Sequence, residues 1–157
     1  MKKILLETIA ALIALLFTYT AISKFLDFET FQIQLAQSPL TNGFSTIISW
    51  VVPISELIIS IGLVIKKYRN VSLYASLFLM TIFTAYVYSI LNYSYYIPCS
   101  CGGIISKMDW TTHLWFNLGF VALSVIAILL NAAIEADNRA QNPGLSGIHS
   151  LSEAKPA

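Results

Sequence analysis

Apolar positions along the 157-residue chain gather into four long blocks separated by short polar stretches. The blocks run from Ile4 to Ser23, Ser45 to Ile65, Val71 to Leu91 and Thr111 to Asn131. Each holds about 20 residues, enough at a rise of about 1.5 Å per residue to cross a hydrocarbon core of roughly 30 Å. The first block is too long for the apolar stretch of a signal peptide, and no clean Ala-x-Ala site follows it, so it reads as a span. Between the first two blocks the pattern changes. Phe28, Phe31 and Leu35 recur at spacings of three and four, with Asp27 placed as an N-cap and Pro39 beyond the end. That spacing predicts a short helix lying on the outer membrane surface. After Ala132 come Asn142-Pro143-Gly144 and Ser146-Gly147. Such a segment buries too little apolar area to order itself, and 132–157 is expected to be a flexible cytoplasmic tail. The predicted fold is therefore all-α, an integral membrane four-helix bundle over residues 1–131.

Composition agrees with a lipid solvent. Apolar residues make up 57% of the chain and charged residues 11%, against about 45–50% and 25% in soluble domains. Membrane lipid is the implied surrounding partner, and nucleic acid is excluded because no basic stripe is present to neutralise phosphates. Charge placement also predicts an orientation. Lys2 and Lys3 precede the first span, Lys66, Lys67 and Arg69 fill the turn between the second and third, and Arg139 and Lys155 follow the fourth. These are seven of nine basic residues, leaving only Lys24 and Lys107 for the other side. By the positive-inside rule both termini are cytoplasmic, in a multi-pass protein of a bacterial inner membrane, and the two longer loops face the periplasm. Tyr93, Tyr95, Tyr96 and Trp110 flank the second of those loops, where amphipathic rings favour the interface.

That loop carries Pro98-Cys99-Ser100-Cys101-Gly102-Gly103, which contains both cysteines of the chain. On the periplasmic side a disulfide is permitted. Two cysteines one residue apart close a small strained ring, which removes little unfolded-state entropy and is more easily reduced than a structural bridge. The adjacent glycines leave room for another backbone during thiol exchange. His113 and Asn117 lie four apart near the outer end of the fourth span, with Trp110 three before His113, so the three share a face expected to point at the loop. His113 there either favours a thiolate or moves a proton, or simply bonds a backbone carbonyl at the interface. Glu56 falls near the bilayer middle, three residues after Pro53. An acid at that depth faces the bundle interior, either on a functional path or in a structural contact to Tyr19, Thr20, Thr84 or Tyr86. Lys24 either reaches toward the same polar interior or snorkels to the interface.

Tyr19 with Ser23-Lys24-Phe25, then Pro53 and Glu56, then the cysteine–glycine loop followed by Trp110, His113, Phe116 and Asn117 together resemble the methylamine utilisation protein MauE family. That family is grouped with the DoxX-like four-helix membrane proteins, and the resemblance covers about residues 4–131. It implies a redox-associated inner-membrane protein working beside a periplasmic thioredoxin-like partner or a client protein, with Cys99 and Cys101 as the redox pair and Glu56, His113 and Lys24 as accompanying polar residues. The expected activity is thiol–disulfide exchange. With no second cysteine pair for relay, electrons would pass directly to a bound quinone or depend on another protein. Two other readings stand beside it: a non-catalytic scaffold or assembly subunit of a membrane complex, and a metal-handling protein in which Cys99, Cys101 and His113 grip a soft ion.

Overall fold

The computed structural model describes residues 1–38, 41–93 and 109–141. These form five α-helices: α1 (Lys2–Leu26), α2 (Phe28–Gln37), α3 (Ser45–Val64), α4 (Arg69–Tyr93) and α5 (Trp110–Gln141), with a 3-10 turn, Asn42–Phe44, leading into α3. No strand occurs among the described residues, and α1, α3, α4 and α5 are long and apolar enough to cross a membrane. Away from its end turns a regular helix satisfies its backbone polar groups within its own segment, which is why helices suit an apolar solvent that offers no hydrogen bonds.

The four long helices run alternately up and down in a ring. The α1 helix packs against α3 and α5, and α4 packs against α5 and α3. Leu6, Ile13 and Phe17 from α1 meet Leu63 of α3, Leu73 and Met80 of α4 and Ala127 of α5 in a common core. Outward-facing Leu15, Ile58, Val71 and Leu129 are exposed, as expected where lipid replaces water. Since lipid is as apolar as these side chains, close packing and interhelical hydrogen bonds must hold the helices together. One such link joins α1 to α3. The Thr18 and Ser60 hydroxyls are 2.7 Å apart, and Ser60 Oγ donates to the Ala14 carbonyl at 2.9 Å. A second contact joins α3 to α4 near their connecting turn. A Cβ placed on Gly62 would fall on the Ser72 hydroxyl and come within 3.2 Å of Ser72 Cβ. The absent side chain at Gly62 leaves room for that of Ser72.

The two ends of the bundle differ in polarity. The start of α1, the α3–α4 turn and the end of α5 lie together and carry Lys2, Lys3, Lys66, Lys67, Arg69 and Arg139. Lys2 pairs with Asp137 at 3.0 Å, Asn131 donates to Asn70 at 3.3 Å, and Arg69 Nε donates to the Leu63 carbonyl at 3.3 Å. The α5 helix continues ten residues past Asn131, where the apolar block ends, so the residues up to Gln141 are helical rather than part of a flexible tail. The alanines at 132, 133 and 136 are strong helix formers. Ile134 also packs against the core, and the Lys2–Asp137 pair ties the extension to α1. Residues 142–157 lie outside the described part of the chain.

The expected short helix is present as α2, with a different role for its apolar face. Phe28 packs on the Trp50 ring of α3 at 4.8 Å, and Leu35 is buried, so this face closes over the bundle. Asp27 occupies the N-cap position but makes no capping hydrogen bond through its side chain.

Candidate functional site

At the bundle end opposite the basic residues, a cavity of about 540 Å³ lies between the helices. Its walls are mostly aliphatic and aromatic, and its polar groups come from all four long helices and from Thr41. Lys24, in the last turn of α1, turns inward and places its ammonium 2.7 Å from Glu56 Oε1 and 3.0 Å from Oε2. Glu56 is 1% exposed and Lys24 5%. Lys24 therefore does not snorkel. It pairs with an acid buried inside the bundle. Of the four contacts expected for Glu56, the one to the Thr20 hydroxyl is made, with the Phe17 carbonyl 3.2 Å from the same hydroxyl, whereas Thr84 donates to its own helix at the Met80 carbonyl.

The local sequence positions this pair. Pro53, one turn before Glu56, has no N–H and cannot bond the Ser49 carbonyl, which loosens α3 at the level of the cavity. Ser49 and Ser55 hydroxyls donate instead to the Thr46 and Val52 carbonyls, at 2.9 and 2.8 Å. On the facing wall, the rings of Phe31 and Phe83 have their centroids 5.9 and 5.7 Å from the Lys24 nitrogen, where their negative π-faces favour a cation.

His113 and Asn117 complete the polar end. The α5 helix starts at Trp110, capped by Asp109, whose Oδ2 accepts the Thr111 N–H at 3.2 Å. One turn on, His113 and Asn117 stack on the same face, 6% and 5% exposed, and both line the cavity. This face points into the bundle; the loop it was expected to face lies outside the described residues. Trp110 stands beside the histidine with ring centroids 6.1 Å apart. Neither the His113 nor the Asn117 side chain is hydrogen-bonded to another of the described residues.

Three of the expected polar residues, Lys24, Glu56 and His113, thus share one cavity. Cys99 and Cys101 fall in 94–108, outside the described residues, as do two of the three ligands of the metal reading. Connectivity alone joins their segment to the end of α4 and the start of α5, three residues before His113. Among the described residues no group of three His, Cys, Asp or Glu is arranged to hold a metal ion.

The family model described as methylamine utilisation protein MauE matches residues 2–130. The chain belongs to the MauE family. Among curated proteins and solved structures, none matches it. The match takes in all four long helices down to the end of the apolar part of α5, together with the cysteine-bearing segment.

Proposed function

We propose that this MauE-family membrane protein is a thiol–disulfide redox protein of a bacterial inner membrane, exchanging electrons through Cys99 and Cys101 with a periplasmic thioredoxin-like partner or client protein. The observation that carries this reading is the polarity of the bundle. The Cys-x-Cys segment joins helix ends opposite the cluster of Lys2, Lys3, Lys66, Lys67, Arg69 and Arg139. With that basic cluster held in the cytoplasm, both termini are inside and the cysteines face the oxidising compartment.

In the exchange, a thiolate of the pair attacks a partner disulfide to form a mixed disulfide. The second thiolate then displaces the partner's sulfur, leaving Cys99 and Cys101 bridged and the partner reduced; the reverse sequence oxidises the partner. A small strained ring makes both directions accessible. Replacing one cysteine at a time stalls the cycle at the mixed disulfide. Cys101→Ser or Cys99→Ser is expected to trap a covalent partner complex that runs as a heavier band on non-reducing gels and disappears with reductant. A double Cys→Ser variant traps none. Failure of both single variants to trap any protein, with normal cellular function in the double variant, would favour the scaffold reading instead.

A further inference from the structure

The cavity has more order than a packing gap requires. Its volume of about 540 Å³ falls within the range of small-molecule sites, roughly 300–1,000 Å³. Two polar side chains that are 6% and 5% exposed, His113 and Asn117, line it, and neither is hydrogen-bonded to another of the described residues. Their polar atoms are placed to meet a ligand that bears hydrogen-bonding atoms. Lys24 spends two of its three N–H donors on Glu56, so one remains. These groups converge from α1 and α5 on one end of an otherwise apolar space.

The charge at that end selects the ligand. Lys24 and Glu56 cancel, so the site selects neither a phosphate nor a fatty-acid carboxylate, and beside the acceptor atoms of His113 and Asn117 it offers hydrogen-bond donors. They suit neutral carbonyl oxygens. Aromatic walls at Phe31, Phe83 and Phe116 suit a flat ring. The remaining wall reaches the outside of the bundle between α3 and α4. Val51, Phe78 and Ile82 there both line the cavity and are exposed on the lipid-facing surface. An apolar chain attached to the ring therefore has a lateral way out into the bilayer.

We propose that this cavity binds the head ring of a membrane quinone, with the Lys24 ammonium, His113 and Asn117 serving its carbonyl oxygens and its isoprenoid tail leaving between α3 and α4. The site rests on the described residues, and its redox use rests on the function proposed above. In that use the two S–H bonds of Cys99 and Cys101 break, one S–S bond forms, and two electrons and two protons convert the quinone to the quinol. The Lys24–Glu56 pair keeps a proton-handling cation and anion at the carbonyl end of a dry site.

The test uses the full-length protein purified in detergent. Solvent extraction of the pure protein is expected to release a quinone. Decylubiquinone is expected to quench tryptophan fluorescence saturably, since Trp110 stands beside His113. Palmitate and phosphatidylglycerol should not compete. His113→Leu and Asn117→Leu, each confirmed as folded by circular dichroism, should weaken binding by about tenfold, the equivalent of one lost hydrogen bond. Phe78→Trp should add a second quenching signal at the lateral opening. Non-saturable quenching, equal competition by palmitate or phosphatidylglycerol, or unchanged affinity in both folded variants would overturn the proposal. The double Cys→Ser protein separates the two readings. Thiol cycling in wild type without quinone binding removes this site and leaves the exchange function. Quinone binding in wild type and double variant alike, without any thiol cycling, removes the exchange function and leaves the site.

Discussion

Replacing Glu56 by leucine, or Lys24 by methionine, is expected to destabilise the bundle by about 3–5 kcal/mol, the largest single-residue effect in the molecule. The two side chains are 1% and 5% exposed and make two hydrogen bonds to each other, at 2.7 and 3.0 Å. Removing one leaves the other charged in a dry, apolar surround. The double variant Lys24→Met/Glu56→Leu should behave differently. With no charge left to solvate, its stability is expected to equal or exceed that of wild type, by about 1–4 kcal/mol where the new side chains pack well. Denaturation in mixed micelles, followed by circular dichroism, reads all four members of this cycle. Additive single effects in the double variant would show that the two charges are not coupled. The same double variant also separates stability from function. Its quinone affinity should fall although its fold survives, because the Lys24 N–H proposed to serve a carbonyl oxygen is gone.

The second large effect is steric and lies at the opposite end. Gly62→Leu is expected to force α3 away from α4 and cost at least the 1–3 kcal/mol typical of overpacking. The smaller change Gly62→Ala already drives a methyl group onto the Ser72 hydroxyl. Ser72→Ala in the Gly62→Ala background removes that oxygen, and most of the lost stability should return. Ser72→Ala alone should change little, as Gly62 tolerates either residue opposite it. The same denaturation assay reads the series, and an unchanged midpoint for Gly62→Leu would mean that the helices are not in close contact there.

Much of the fold was legible because apolar block length is a strong local signal. The helix α3 matches its expected block to within one residue, and α1 and α4 enclose theirs. The end of α5 was not, because Ala132, Ala133 and Ala136 fall outside an apolar block yet favour helix, and the Lys2–Asp137 contact spans 135 residues. The candidate site divides the same way. The spacing of His113 and Asn117 put them on one face, while the direction of that face depended on how α5 packs on its neighbours. Glu56 announced itself by depth alone. Its partner did not, since a lysine at a helix end is equally suited to snorkelling, and the choice was made by an acid 32 residues away on another helix. Gly62 and the lateral opening between α3 and α4 have no local signature, because both are properties of helix separation.

The central claim is that Cys99 and Cys101 form a reversible redox pair on the periplasmic face. Its most direct test follows their state in intact spheroplasts with a membrane-impermeant maleimide that adds mass to each thiol. Two modified thiols are expected after treatment with an impermeant reductant. Return to the unmodified, bridged form is expected once the reductant is washed away and cellular oxidation resumes. Modification only after the membrane is permeabilised, or an identical thiol state before reduction, during it and after washing, would contradict the claim.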